Sequence, residues 1–213
     1  MRLFLASAEL NHPSNHGELT RALAELATPV SRIAVVANAR DGEPPEQRRH
    51  WVTSDLSSLD PLHADTVELD LRDLGDRPHA IDQALAGTDL IWVTGGDMDL
   101  LRERMRSSGL DTALQRRLAE DTIVYSGYSA GACLAGPALT TADLEGNPRA
   151  GDEIGWGGLG LVDFTIVPHL PPAGAADNDF VQIARHLRRR NLSHSALRDG
   201  QAIIVSGDVI RVI

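Results

Sequence analysis

The segment 127–131, Gly-Tyr-Ser-Ala-Gly, carries the strongest chemical signal in the sequence. It has the form G-x-S-x-G and lies between a β-rich run, 122–125, and a stretch of small residues, which is the strand–turn–helix setting of a nucleophilic serine. Glycines at the flanking positions leave room for a very tight turn, so Ser129 would project above a sheet. The competing interpretation is an ordinary Gly/Ser-rich turn that caps a helix.

A second glycine turn, Thr-Gly-Gly-Asp at 94–97, ends the preceding strand-like run. In a parallel sheet the carboxyl ends of neighbouring strands form a crevice, so the N–H of Gly96 or Asp97 could join that of Ala130 in an oxyanion hole beside Ser129. The alternative is a plain turn in which Asp97 caps the next helix, and both interpretations can hold at once.

His169 stands at the end of another strand-like run, directly after Pro168. Proline removes a backbone donor and ends regular pairing, which would direct the next side chain into a loop. A histidine with a pKa of about 6.5 can accept the serine proton and return it to a leaving amine. The remaining histidines are interpreted as surface residues: His12, His16, His50, His63, His79, His186 and His194.

Strand-like runs that alternate with helical segments must position these groups, and that alternation predicts an α/β fold with a mostly parallel sheet between helical layers. Strands are predicted near 2–6, 32–38, 66–71, 89–94, 122–126, 160–167, 201–205 and 208–213, the last two as a hairpin. Helices are predicted near 15–27, 44–58, 78–86, 98–119 with a break at Gly109, 130–136 and 178–190. The longest irregular stretch is 137–158.

Length and composition predict one domain over residues 1–213. With 42% apolar and 23% charged residues and a net charge of −10, small substrates are favoured over nucleic acid. No apolar run approaches the roughly 20 residues of a spanning helix, so no membrane partner is expected. The single cysteine, Cys133, and the lack of a signal-like start favour the cytoplasm.

Two further patterns do not support a metal or a cofactor. The G-x-G-x-x-G match at 155–160 precedes a strand instead of linking a strand to a helix, so it lacks the context of dinucleotide binding. His12 and His16 are four residues apart, but Pro13 and Asn15 argue against the helix that would align them on a metal.

These motifs resemble the peptidase E (aspartyl dipeptidase) and cyanophycinase family of serine peptidases. The resemblance runs through the segments 93–101, 109–110, 125–132, 140–143 and 158–169, while the first 88 residues match only in α/β character. It implies a three-layer, flavodoxin-like sheet related to class I glutamine amidotransferases. It also implies Ser129 as nucleophile, His169 as base, the Gly96 turn in the oxyanion hole and Asp143 as the third triad member. Glu145, Asp177 and Asp179 remain alternatives for the acid.

The same resemblance implies cleavage of short peptides, with dipeptides that begin with an acidic residue as the expected substrates. An acidic substrate requires a cation in the pocket, for which Arg149 is the candidate. Two other functions stay open. One is an esterase of the α/β-hydrolase type, which shares the tight G-x-S-x-G turn at 127–131, called the elbow below. The other is a non-catalytic flavodoxin-like binding module. The oligomeric state is left open.

Overall fold

A seven-stranded, mostly parallel sheet forms the centre of the molecule. The computed structural model describes residues 1–74, 79–139 and 157–213. The strands of the sheet are β1 (Arg2–Ala6), β2 (Arg32–Val36), β3 (Asp65–Glu68), β4 (Leu90–Val93), β5 (Val124–Tyr128), β8 (Ala202–Ser206) and β9 (Val209–Val212). Their order in the sheet is β3-β2-β4-β5-β1-β8-β9, in which β1 to β5 run parallel and β8 and β9 are antiparallel to their neighbours.

Two further strands form a small parallel sheet of their own, β6 (Thr165–Leu170) and β7 (His194–Arg198). The described helices are α1 (Glu18–Ala27), α2 (Pro45–Ser58), α3 (Ala80–Ala84), α4 (Met98–Ser107), α5 (Leu110–Ala119), α6 (Ala130–Cys133) and α7 (Asp179–Arg189). Short 3-10 turns occupy Asn38–Arg40, Asp60–Leu62 and Leu71–Asp73.

Both faces of the central strands are buried, which explains why their sequences are continuous apolar runs. In β1, Leu3 and Leu5 pack into one core with α4 and α5, whereas Phe4 packs into the other core with α1. Side chains of a strand alternate between faces, so each core receives every second residue. The arrangement is a three-layer α/β fold, as the alternation of elements predicts.

Three differences from the predicted elements bear on the site. The strand β7 was not predicted, and β6 runs from Thr165 to Leu170 instead of ending at 167. Pro168 therefore does not end the pairing with β7. One extra residue on β6 forms a bulge between Val167 and Leu170, where the ladder tolerates a residue without an N–H. Residues 140–156, which make up most of the irregular stretch, lie outside the described residues.

Candidate active site

Ser129 occupies a strained turn between β5 and α6. Its backbone has φ 50° and ψ −115°, a conformation that a residue with a side chain rarely adopts. Two contacts fix the turn: the Ser129 N–H donates to the Ala6 carbonyl at 3.1 Å, and α6 packs so closely on β4 that a Cβ on Gly131 would overlap the Val93 carbonyl. The flanking glycine thus allows the close approach that the motif predicts.

His169 reaches Ser129 from the bulge of β6. Its φ is 57°, which turns its N–H out of the ladder and toward Ser7 Oγ, 2.8 Å away. Asn178 donates to the His169 carbonyl at 2.7 Å, and the same side chain caps α7 by accepting the Val181 N–H. The backbone of His169 is therefore held on both sides, by β1 and by the start of α7.

Ser129, His169 and Asp199 form a continuous hydrogen-bonded chain. Ser129 Oγ lies 2.9 Å from His169 Nε2, and His169 Nδ1 lies 2.7 Å from Asp199 Oδ1. The carboxylate fixes the proton on Nδ1, which leaves Nε2 free to accept the serine proton. The side chains of His169 and Asp199 are 29% and 31% exposed, so a substrate can reach the group from solvent.

Among the described residues, the carboxylate that contacts His169 Nδ1 belongs to Asp199. Asp143 and its alternative Glu145 lie outside the described residues, as does Arg149. Asp177 forms an exposed ion pair with Arg185 at 2.6 Å, and Asp179 begins α7. Asp199 was missed because it follows β7, whose half-exposed residues do not form the apolar run of a buried parallel strand.

His12 also lies beside the carboxylate, although it was interpreted as a surface residue. Its Nδ1 accepts the Ser14 N–H at 3.2 Å, so in the neutral ring the proton is on Nε2, 3.8 Å from Asp199 Oδ2. The loop that carries His12 packs tightly here, since a Cβ on Gly200 would lie 2.6 Å from the Ser14 carbonyl.

Of the two amide groups expected from the glycine turn after β4, that of Asp97 already has an acceptor. The Asp97 N–H donates to the Ala39 carbonyl at 2.9 Å, and the Asp97 carboxylate caps α4 by accepting the Leu100 N–H at 2.9 Å. Asp97 is thus corrected from an oxyanion donor to a helix cap. The N–H groups of Gly96 and Ala130 make no hydrogen bond within the described residues.

Gly96 has the conformation that its turn requires. Its φ of 143° is a value that side chains rarely allow, and a Cβ there would lie 2.5 Å from the Ala39 carbonyl oxygen. Gly95 is equally confined, because its Cβ would lie 3.0 Å from the Ser129 Cβ. The turn after β4 therefore lies directly against the nucleophile elbow.

Among the ionisable side chains near Ser129 with shifted pKa values are Cys133 and Asp55. Burial raises the pKa of the Cys133 thiol to about 12, and the thiol donates to the Ile166 carbonyl at 3.3 Å. Burial also raises the pKa of Asp55 to about 6, although Trp92 Nε1 and Tyr128 Oη each donate to it at 3.2 Å. Tyr128 directly precedes Ser129, so Asp55 supports the elbow from the α2 side of the sheet.

Within residues 1–74, 79–139 and 157–213, no group of three or more His, Cys, Asp or Glu side chains could hold a metal ion. No helix in the same ranges is long and apolar enough to cross a membrane.

Comparison with known proteins identifies the family. The model of peptidase family S51 matches residues 3–213. The chain belongs to peptidase family S51. Two curated relatives in this comparison are uncharacterized peptidases of Listeria innocua and Listeria monocytogenes, each 28% identical, over 120 and 127 residues respectively. The matches cover 56% and 58% of the chain and 56% and 60% of the relatives, so they span little more than half of each protein.

Solved structures share the fold of this S51 chain. A protein of Listeria monocytogenes EGD-e, provisionally assigned to peptidase E, superposes with a TM-score of 0.72 at 21% identity, covering 100% of this chain and 97% of that chain. A peptidase from an acI-B1 Actinobacterium superposes with a TM-score of 0.70 at 16% identity, covering 100% and 86%. Both comparisons confirm the predicted α/β architecture.

Proposed function

We propose that the chain is a serine peptidase in which Ser129 is the nucleophile, His169 the general base and Asp199 the acid that orients the base. The observation that carries this proposal is the unbroken chain from Ser129 Oγ to His169 Nε2 at 2.9 Å and from His169 Nδ1 to Asp199 Oδ1 at 2.7 Å. Membership of a peptidase family supports it independently. Asp199 thereby replaces Asp143 as the proposed acid.

In the first half of the reaction, Ser129 Oγ attacks the carbonyl carbon of the scissile peptide bond while its proton moves to His169 Nε2. Negative charge then develops on the carbonyl oxygen. The N–H groups of Gly96 and Ala130, which have no acceptor within the described residues, are the proposed donors to that oxygen. Asp199 stabilises the positive charge on the imidazolium.

In the second half, the C–N bond breaks and the proton on His169 Nε2 passes to the departing amine. The acyl group remains on Ser129 as an ester. Water then attacks the ester carbonyl and gives a proton to Nε2, which returns it to Ser129 as the acid product leaves. These reaction steps consume one water molecule and regenerate the free enzyme.

The proposed substrates are short peptides, with dipeptides that begin with an acidic residue as the first choice. This choice rests on the resemblance to peptidase E and on the provisional name of the Listeria monocytogenes structure. We also propose a single catalytic domain over 1–213, because β1 and β8, from opposite ends of the chain, are neighbours in one sheet. The cytoplasmic location and the absence of a nucleic-acid partner stay predictions from composition.

The order of the triad argues against the esterase alternative. In α/β-hydrolases the acid precedes the histidine along the chain. Here the acid, Asp199, follows His169 by 30 residues. The intact hydrogen bonds among the three side chains argue against a non-catalytic module with a relict elbow.

A dipeptide library assayed with the wild-type chain and with Ser129→Ala tests the proposal. We expect release of amino acids from Asp-led dipeptides by the wild type and none by the variant. A fluorophosphonate probe should label Ser129 alone, and His169→Ala should label far more slowly, because the serine then lacks its base. The double variant should be scarcely worse than either single one, since the residues act as a unit.

The experiment tests the serine mechanism, the acidic specificity and the peptidase activity separately. Turnover that persists in Ser129→Ala would refute the serine mechanism. Hydrolysis of Leu- or Ala-led dipeptides without any of Asp-led ones would leave the peptidase in place but refute the acidic specificity. Cleavage of simple esters with no cleavage of peptides would favour the esterase.

A further inference from the structure

The hydroxyl of Ser7 contacts both His169 and Asp199. Ser7 is fully buried and follows β1 directly. Its Oγ lies 2.8 Å from Asp199 Oδ1 and accepts the His169 N–H at 2.8 Å, whereas the Leu197 carbonyl is 3.5 Å away. Since a hydroxyl has one proton, the nearer and charged acceptor receives it, and the proton points at the carboxylate.

The residue before Ser7 contacts the nucleophile. The Ala6 carbonyl accepts the Ser129 N–H at 3.1 Å, so residues 6 and 7 together contact all three members of the triad. Ser129 directly follows β5 of the seven-stranded sheet, whereas His169 lies in β6 and Asp199 directly follows β7, both of the small sheet. The end of β1 therefore joins the two sheets at the point where the triad forms.

The bulge in β6 makes this connection necessary. Because His169 has a positive φ, its N–H points away from β7, and Ser7 Oγ supplies the acceptor that the ladder does not. The same hydroxyl donates its proton in a hydrogen bond to the carboxylate that accepts a hydrogen bond from the His169 Nδ1–H. One hydroxyl thus fixes the backbone of the base and the side chain of the acid.

We propose that Ser7 is a positioning residue of the reaction, which acts through Asp199 and His169 and does not touch the substrate. The inference rests on the proposed function. Ser7 holds one carboxylate oxygen in line with His169 Nδ1 and thereby keeps the proton on Nδ1 and Nε2 open toward Ser129. Without the hydroxyl the carboxylate can rotate, and the imidazole populates the tautomer whose Nε2 carries the proton.

The test compares Ser7→Ala with Ser126→Ala. Ser126 is a matched control because it is also fully buried, it lies three residues before Ser129, and its hydroxyl donates to the Ile91 carbonyl at 2.6 Å, away from the triad. On the best dipeptide, Ser7→Ala should lower kcat about 10- to 100-fold, as a small misplacement of reacting groups does, while KM stays within about twofold. Ser126→Ala should keep wild-type kcat, and Ser7→Thr, which retains a hydroxyl, should recover part of the loss.

A spectroscopic readout separates positioning from general damage to the fold. Nitrogen-15 NMR of the imidazoles reports the tautomer, with the His169 signals assigned by their loss in His169→Ala. In the wild type and in Ser126→Ala, Nδ1 should carry the proton. In Ser7→Ala the fraction protonated on Nε2 should rise. This measurement needs no turnover, so it reports the His169 tautomer whether or not the peptidase proposal holds.

The proposal requires that Ser7→Ala both lowers kcat and raises the fraction of His169 protonated on Nε2. If Ser7→Ala has wild-type kcat, or loses kcat with no change of tautomer, Ser7 does not position the acid and the inference is overturned. An equal loss in Ser126→Ala would overturn it too, since any buried hydroxyl would then have the same effect. Activity that survives in Ser129→Ala would instead refute the proposed function and leave the tautomer result to stand.

Discussion

At the scale of single residues, the site depends on two side chains whose backbones adopt a positive φ. Ser129 has φ 50° and His169 has φ 57°, and their side chains meet at 2.9 Å. Such conformations persist only where the surrounding structure fixes them. Here β1 and the residue after it provide fixing contacts, because the Ala6 carbonyl accepts the Ser129 N–H and Ser7 Oγ accepts the His169 N–H. The two side chains are therefore held in the arrangement that the proposed reaction requires.

The first prediction concerns the acid. Asp199→Asn should lower kcat by about 10³- to 10⁴-fold with a small change in KM, because an amide can donate to Nδ1 and favour the wrong tautomer. Steady-state hydrolysis and fluorophosphonate labelling measure the effect. Asp177→Asn is the matched control, since Asp177 pairs with Arg185 on the surface and should be dispensable. The reverse ranking of the two variants would remove Asp199 from the triad.

The second prediction concerns Cys133, which lies four residues after Ser129. Since desolvation raises the pKa of its thiol to about 12 although the residue is only partly buried, the thiol is almost entirely protonated at pH 8. Iodoacetamide at pH 8 should leave the folded chain unmodified and alkylate it once it is unfolded in urea, as mass spectrometry would show. Cys133→Ala should retain hydrolytic activity. Rapid alkylation of the folded chain would show that the thiol is accessible and ionised.

At the scale of elements, the two proposed site residues that the sequence motifs indicated are tied to well-defined strands. Ser129 follows the apolar strand β5, and His169 lies in a strand marked by Pro168. Asp199 could not be found in the same way, because its strand β7 has one buried residue, Leu197, among five. The available signal was Asp199-Gly200, a turn-forming pair just before the closing hairpin. The Asp97 N–H donates to the Ala39 carbonyl, which is distant in the sequence. No local sequence pattern could predict this hydrogen bond.

The third prediction concerns the packing of α6 on β4. Gly131→Ala should lower the free energy of unfolding by about 1–3 kcal/mol, because the new methyl group would overlap the Val93 carbonyl and force the elbow to shift. Urea denaturation measures the change. Gly42→Ala is the control: its methyl would lie 3.9 Å from Leu100, an ordinary contact, so its effect should stay within about 0.5 kcal/mol. Equal effects of the two variants would show that the elbow tolerates a side chain at 131.

At the scale of the whole molecule, the helical layers bury a carboxyl group directly behind the elbow. Asp55 of α2 lies against Trp92 and Tyr128 with a pKa raised to about 6, above its ordinary value of 3.8. Below pH 3.8 the group is protonated in both the folded and the unfolded chain. Between these values the folded state holds more protons, so raising the pH through about 6 lowers stability.

The fourth prediction follows from this difference. Asp55→Asn removes the ionisation, so wild-type stability relative to the variant should fall as the pH rises from 4 to 7. The rise of the Asp55 pKa from 3.8 to about 6 corresponds to about 3 kcal/mol, which we take as the upper bound of the fall. Urea denaturation of both proteins at several pH values measures it. If the free energy of unfolding of the wild type minus that of Asp55→Asn is constant or rises with pH, the raised pKa is contradicted.

The position of β1 also bears on folding during synthesis on the ribosome. Residues 1–7 are synthesised before β5 and β8, yet their strand completes its hydrogen bonds only when β5 and then β8 lie on either side, and Asp199 lies just before β8. Contacts between such distant parts of a chain are slow to form. A nascent chain that has exposed the proposed nucleophile still lacks the proposed acid and its contact with Ser7. The proposed triad is therefore complete only once the sheet has closed around β1.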